Sequence, residues 1–380
     1  MYINFWYPTC WGAELGDTPL KTRILGQDLV LFRDTAGKAH CLSNTCTHRG
    51  GSLGDGKVKG DCVQCPYHGW EFNGDGKVTK IPSLGKDAKI PARARIDAYP
   101  VEERYGLVFA FLGDLPEVER PPILEIPTYS KEGWAVSEIT YEVPIHYERS
   151  IENGLDPAHN EFVHPTHGFG GENAEYKVND LRLIDEDYEW GFGFFSKFNS
   201  PEMKKQSVMS EFKKAKSDRE AGSGNTGPNH LWTIIRFSEK AEFGQYMYEA
   251  PIDENNTKIY LINMRNMALE PEHDDEIVKR NWNVIQQDIT VLNQLRPVIT
   301  PESRTKEFMV PADKVILMYR DILKGWDAKG WRINMAQVKR DRNRIAYAIP
   351  SPARRKQKGW VLDSIPLLPA DADVALAKAK

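Results

Sequence analysis

Two short loops, Cys46-Thr47-His48-Arg49-Gly50 and Cys65-Pro66-Tyr67-His68-Gly69-Trp70, constrain this 380-residue chain more than any other feature. Each offers one thiolate and one imidazole, and sixteen residues separate His48 from Cys65. Four ligands of the type Cys₂His₂ hold either a zinc ion or a [2Fe–2S] cluster in which two histidines replace two cysteines on one iron. Zinc fingers pair like with like, spacing the cysteines by two or more residues and setting the histidines on a helix. Here each loop mixes the types, which favours the cluster. The surrounding chain reads as short strands (21–25, 29–33, 58–64, 70–72 and 106–111) broken by hairpin turns at Gly26-Gln27-Asp28, Asp34-Thr35-Ala36-Gly37 and Asn73-Gly74-Asp75-Gly76. The first 118 residues are expected to form an all-β domain.

A second stretch, Asn153-Gly154-Leu155-Asp156-Pro157-Ala158-His159, continues to His164 and carries a different chemistry. Two imidazoles five residues apart, with an aspartate three before the first, suit a metal whose histidine ligand is oriented by a carboxylate. Asp156-Pro157 predicts a helix start, with His159 one turn inside and Pro165 ending it just after His164. On a regular helix the two rings would point about 140° apart. Convergence on one ion therefore requires the helix to end or bulge between them. The spacing alone also fits two polar residues near a helix end.

Between residues 113 and 127 the chain turns proline-rich, with Pro116, Pro121, Pro122 and Pro127, placing a boundary between domains 1–118 and 119–380. Beyond it, 138–143, 190–195, 230–237, 245–249 and 258–263 read as strands of a curved antiparallel sheet. Trp190, Phe192 and Phe194 alternate onto one face, as plain core or as a cavity wall. Residues 202–227, rich in Lys, Ser, Asp and Gly, read as a partly mobile excursion, with a lid over the pocket as the functional alternative. A helix runs from about 270 to 295. Its apolar stripe is Val284, Ile285, Val291 and Leu292, and Asp288 falls within it. A buried carboxylate is normally paired or binds metal, so Asp288 is either a ligand or the partner of an arginine such as Arg149. Asp274, Asp275 and Glu276 suit the positive end of the helix dipole in solvent. Lys339-Arg340-Asp341-Arg342 and Arg354-Arg355-Lys356 are a solvated face or a docking site for an acidic ferredoxin.

Lys+Arg 50 against Asp+Glu 54 leaves a formal charge of -4, which argues against a nucleic-acid partner. The chain lacks an apolar run long enough for a membrane span and an amino-terminal export signal, so a cytoplasmic protein is expected. Five cysteines then suggest thiols and ligands, with Cys10, Cys41 and Cys62 as buried apolar residues. The sequence carries neither a Walker nor a dinucleotide glycine loop, so electrons from NAD(P)H are expected only through a separate reductase.

Phe5-Trp6-Tyr7-Pro8, Asn44-Thr45-Cys46-Thr47-His48-Arg49-Gly50-Gly51 and Gln64-Cys65-Pro66-Tyr67-His68-Gly69-Trp70 resemble the Rieske domain of the Rieske non-heme iron oxygenases, and 153–164 is similar to their mononuclear iron motif. The nearest branch is the homotrimeric terminal oxygenases related to chlorophyllide and pheophorbide oxygenases, carbazole dioxygenase and the O-demethylases. The resemblance implies an α+β chain: an all-β Rieske domain, then a catalytic domain with a curved antiparallel sheet flanked by helices. It implies a [2Fe–2S] cluster on Cys46, His48, Cys65 and His68, and Fe(II) on His159, His164 and a late-helix acid, for which Asp288 is the candidate. Asn153 would stand close to that iron, and His167 would be a neighbour of the ligands or a surface residue. A ferredoxin, a flavin reductase or both would charge the cluster. In a homotrimer, Asp156 would link His48 or His68 of one subunit to His159 of the next. Respiratory Rieske proteins add a cysteine to each loop and a serine; Gly51, Tyr67 and Trp70 stand here, which implies a potential in the lower part of the range of about −150 to +300 mV.

The implied activity is O2-dependent mono- or dioxygenation of an aromatic or largely apolar substrate. O- or N-demethylation uses the same ligands and is the alternative. A Rieske electron carrier is a third reading, but it would leave residues 119–380, His159, His164 and Asp288 unexplained.

Overall fold

The computed structural model describes residues 1–167, 169–178, 181–184, 189–198, 219–301 and 304–371. Two compact units emerge: residues 1–121 together with 325–380, and residues 122–324. The sequence reading carries 119–380 as one domain, whereas the segment from Gly325 packs with the amino-terminal unit. Side-chain contacts account for this. Buried Asp97 accepts hydrogen bonds from Ser351 and from Arg354 Nε and Nη2 at 2.8 and 2.7 Å, and Arg355 pairs with Asp114 at 3.0 Å. Phe5 packs on Trp326 and Trp331. The second basic cluster is thus engaged within its own unit, while Lys339, Arg340 and Arg342 are exposed.

The first unit is all-β up to residue 112. Phe5–Trp11, Leu107–Leu112 and Val101–Arg104 form a three-stranded sheet. Leu20–Ile24, Gln27–Arg33, Ala39–Ser43 and Ala98–Tyr99 form a four-stranded one, as do Lys57–Lys59, Cys62–Gln64, Glu71–Asn73 and Val78–Lys80. The expected strand 58–64 is therefore two strands with a turn at Gly60. Val30, Phe32, Leu42, Leu53, Val63 and Phe72 make a core that also takes in Cys46 and Cys65. Cys10 and Cys41 are buried, Cys62 is half-buried beside Thr79, and all five cysteines are free thiols.

The second unit is built on a seven-stranded antiparallel sheet. In spatial order its strands are Ala135–Val143, Thr257–Arg265, Ala241–Pro251, His230–Ser238, Arg219–Thr226, Gly191–Phe198 and Arg182–Ile184. Residues 219–226 of the expected excursion are a paired strand, and 202–218 lie outside the described residues. Phe192 and Phe194 are buried, while Trp190 lies in the turn before their strand. Three helices matter for the site: α1 (Tyr147–Leu155), α2 (Asn160–Val163) and α3 (Asp274–Leu292). On α3, Ile285, Ile289 and Leu292 pack against Tyr141, Val143, Ile145, Ile259 and Leu261. Val291, expected in that stripe, is 43% exposed, because the 3.6-residue period carries it off the buried face while Ile289 stays on it. Asp274, expected to need only solvent, is the partner of fully buried Arg265.

Buried ion pairs fix α1. Glu152 meets Arg320 Nε at 2.6 Å and Arg149 at 3.3 Å, and Glu307 joins both arginines at 2.9 and 2.7 Å. Arg149, the arginine weighed as a partner for Asp288, is committed to this network. At Gly154 a Cβ would meet Leu231 Cδ2 at 2.0 Å, so α1 lies close against the sheet and a larger residue there would have to displace the Leu231 side chain. Among the described residues, no helix is long and apolar enough to cross a membrane.

Candidate metal centre

The two Cys/His loops are backbone duplicates. Cys46 N–H donates to Gly51 O and Gly50 N–H to Cys46 O; in the second loop Cys65 N–H donates to Trp70 O and Gly69 N–H to Cys65 O. Gly50 and Gly69 close them at φ +72° and +69°. Both thiols are buried, and burial pushes the Cys46 thiol up to about 12, so thiolates form there only with a compensating cation. Both imidazoles are exposed, with ring centroids 4.4 Å apart and His48 stacked on Trp70. Two buried thiols beside two exposed imidazoles are the donor set that would hold a [2Fe–2S] cluster with histidine on one of its irons.

The second constellation lies wholly within the 122–324 unit. Helix α1 ends at Leu155, and Asp156 leaves it with extended backbone. Asp156 is therefore the C-cap of α1 and not the start of the next helix: its Oδ1 accepts from Ala158 N–H at 2.7 Å, a turn that holds Pro157 and Ala158 out of helical geometry. Regular helix resumes only over Asn160–Val163. His159 flanks it on one side and His164 on the other, the latter at φ −113°, ψ 71°. His159 keeps helical backbone at φ −71°, ψ −24° and only His164 leaves the helical course, yet the two rings meet despite the divergence of about 140° that a regular helix implies.

The result is convergence. His159 Nε2 and His164 Nε2 lie 3.0 Å apart, and Asp288 Oδ1 lies 3.3 Å from the latter and 3.7 Å from the former. The far nitrogens are engaged: His159 Nδ1 donates to Asp156 O at 2.7 Å, and His164 Nδ1 to Gln287 Oε1 at 3.1 Å. Gln287 Nε2 in turn donates to Thr166 Oγ1, which fixes its oxygen toward His164. These bonds set the tautomers and turn both Nε2 lone pairs toward Asp288 Oδ1, itself buried without a hydrogen-bond partner among the described residues. Three electron-rich atoms meeting at one point call for a cation. Ligand atoms about 2.1 Å from one ion and at right angles around it stand about 3.0 Å apart, so the spacings fit a metal bound on one face. Burial, with the neighbouring His164, lowers the pKa of His159; burial acts the same way on His164, but the Asp288 carboxylate outweighs it and raises that pKa.

The triad forms part of the wall of a cavity of about 450 Å³, lined also by Phe194, Leu231, Ile235, Phe243, Met247 and Val284. Asn153 and Asp156 line it too, as does His167, whose ring lies 4.9 Å from that of His164. The Asp156 carboxylate reaches 3.8 Å from His159 Nδ1, and burial raises its pKa against the pull of His159. Sequence reasoning missed Gln287 and Thr166, although the position of Gln287 beside Asp288 was a usable signal. It also missed Arg280, Asn281 and Gln245 in the cavity wall, for which polar residues within apolar stretches were the only sign.

Comparison with known proteins adds the context. Residues 5–100 match the Rieske [2Fe–2S] domain model, and 143–329 match the vanillate O-demethylase oxygenase C-terminal domain model. Chlorophyllide a oxygenase of Chlamydomonas reinhardtii is 40% identical over 42% of this chain and 24% of its own length. The phenoxybenzoate dioxygenase alpha subunit of Ectopseudomonas oleovorans is 37% identical over 49% of this chain and 47% of its own. The chain thus spans a quarter to a half of these curated relatives. The solved structure of Pseudomonas putida CBB5 NdmA with caffeine superposes with a TM-score of 0.72 at 24% identity, covering 86% of this chain and 91% of that one, and shares the fold. Matched loops at 46–69, a triad at 159, 164 and 288 and both domain models in order lead to one conclusion: the chain belongs to the Rieske oxygenase family, in the branch that joins a Rieske [2Fe–2S] domain to an oxygenase domain of the vanillate O-demethylase type.

Proposed function

We propose that this protein is the terminal oxygenase of a multicomponent system, using O2 and electrons from a ferredoxin, a flavin reductase or both to oxygenate an aromatic or largely apolar substrate in the cytoplasm. The observation that carries the reading is the convergence of His159 Nε2, His164 Nε2 and Asp288 Oδ1 in the wall of an apolar cavity. In this reading Cys46, His48, Cys65 and His68 hold the cluster, and His159, His164 and Asp288 hold a mononuclear iron. Iron(II) on two histidines and one carboxylate supplies dioxygen activation at its open positions. Asp156 and Gln287 fix the two imidazoles. The apolar walls exclude water and orient the substrate carbon, with Asn153 shaping the pocket beside the ligands. Asp156 links the site to the Rieske domain of a neighbouring subunit, and head-to-tail use of two surfaces closes into a homotrimer.

The matching of residues 143–329 to an O-demethylase domain favours demethylation as the second reading. The test is oxygen uptake by protein supplied with NADH, a borrowed reductase and candidate aromatics, with formaldehyde measured alongside. Substrate-dependent uptake that His159→Ala abolishes is expected. Uptake unaffected by that substitution would refute the assignment, and formaldehyde in step with uptake would select demethylation.

A further inference from the structure

Resting on that reading, we propose that Asn281 and Arg280 bind the acidic head of the substrate, which is an organic acid of about two rings whose reacting carbon faces His159, His164 and Asp288. Asn281 is 6% exposed, on the cavity wall. Its Oδ1 accepts from Gln245 Nε2 at 3.5 Å, while its Nδ2 is buried without a hydrogen-bond partner among the described residues. A buried amide donor with no acceptor costs free energy that an apolar side chain would avoid. Its neighbours along the cavity face of α3, Ile277, Val284 and Ile285, are apolar, so an apolar residue at 281 would suit the wall. An acceptor entering the cavity removes that cost.

Arg280, the adjacent residue, lines the same cavity. Burial lowers its pKa, and the charge of Glu276 only partly opposes this. A cation in so poorly solvated a wall is stabilised by an incoming anion, which favours a carboxylate or sulfonate over a neutral carbonyl. Distance sets the length of the ligand. Asn281 and Asp288 are seven residues apart, two turns along one face and about 10 Å of helix. Val284 and Ile285 fill the interval, so the cavity runs from a polar head site through an apolar middle to the triad. A single-ring acid anchored at Asn281 would fall short of the triad, and a two-ring acid spans it.

The test measures binding and not turnover. Holoenzyme of known iron content is titrated calorimetrically with biphenyl-4-carboxylate and with 4-methylbiphenyl, its neutral match. Wild type is expected to prefer the acid. Asn281→Leu is expected to weaken acid binding about ten- to a hundredfold, the effect of losing a hydrogen bond to a charged group, while leaving the hydrocarbon unaffected. Asn281→Asp, equal in size, is expected to weaken the acid at least as much and serves where the leucine variant fails to fold. Acid bound no better than hydrocarbon, no binding of either, or equal weakening of both by the substitutions would overturn the proposal. Iron content separates the two claims: acid selectivity in protein lacking the third iron would sink the oxygenase reading and leave this head site standing.

Discussion

The Nδ1 of His164 stands 3.1 Å from Oε1 of Gln287, the residue immediately before Asp288 on α3. One helix thus supplies both the carboxylate that meets the two imidazoles and the group that orients one of them. Gln287→Leu removes the orienting oxygen and leaves the three converging atoms in place. Iron affinity at this site is expected to fall about ten- to a hundredfold, read by titration of iron into metal-depleted protein. The Rieske absorbance should be unchanged, and unaltered iron affinity would show that His164 needs no such support.

Asp156 is the second test, because its backbone and its side chain act differently. The carbonyl orients His159, and any residue supplies a carbonyl; the carboxylate is the proposed link to a neighbouring Rieske domain. Asp156→Asn, which keeps an acceptor for Ala158 N–H and removes the charge, should retain both cluster and mononuclear iron while substrate-dependent turnover collapses. Stopped-flow oxidation of the pre-reduced cluster in the presence of substrate and O2 checks this. Wild-type rates in the variant would remove Asp156 from the electron path.

Much of this site was legible in the sequence, and the illegible part has a physical cause. The Cys/His loops are short, glycine-closed and local, so Cys46, His48, Cys65 and His68 could be named from spacing alone. His159, His164 and Asp288 stood out as candidates as well, but the start of the helix before His159 was misplaced. Asp156-Pro157 carries the same residue preferences as a helix start, and only the cap at the end of α1 shows that Asp156 closes one helix and does not open another. The basic cluster at 354–356 reads as a solvated face or a docking site, because charge runs usually lie in solvent. Asp97, more than 250 residues earlier in sequence, is the partner that local reading could not supply.

The ion-pair network behind α1 should be costly to break from one side. Arg320→Met leaves Glu152 buried with only Arg149 at 3.3 Å. Loss of stability of about 3–5 kcal/mol is expected, measured as a shift of the denaturant midpoint for the 122–324 unit. Since Glu152 adjoins Asn153, iron affinity should fall as well. A change below about 1 kcal/mol would show that the network is worth no more than surface pairs.

Glu249 gives a pH signature. It is fully buried on strand Ala241–Pro251, and burial pushes its carboxyl up to about 8 against the hydrogen bond from the Ser150 hydroxyl at 2.7 Å. An unfolded glutamate titrates near 4.3, so between about 4.3 and 8 the folded chain holds a proton that the unfolded chain has lost. Stability contributed by that proton is present below about pH 4.3 and is lost as pH rises toward 8. Relative to Glu249→Gln, which stays neutral, wild type should lose a few kcal/mol between about pH 5.5 and 8.5. Thermal unfolding of both proteins at the two values checks the sign, and parallel behaviour would mean that Glu249 ionises freely in the fold.

The most direct measurement of the central claim is iron and acid-labile sulfide analysis, with EPR of the anaerobically purified, dithionite-reduced protein. About three irons and two sulfides per chain with a Rieske-type signal are expected, falling to about two irons, with the signal intact, in His159→Ala. Two irons in the wild type and no third would strip residues 122–324 of the proposed chemistry, and zinc without sulfide would contradict the account of both metal sites.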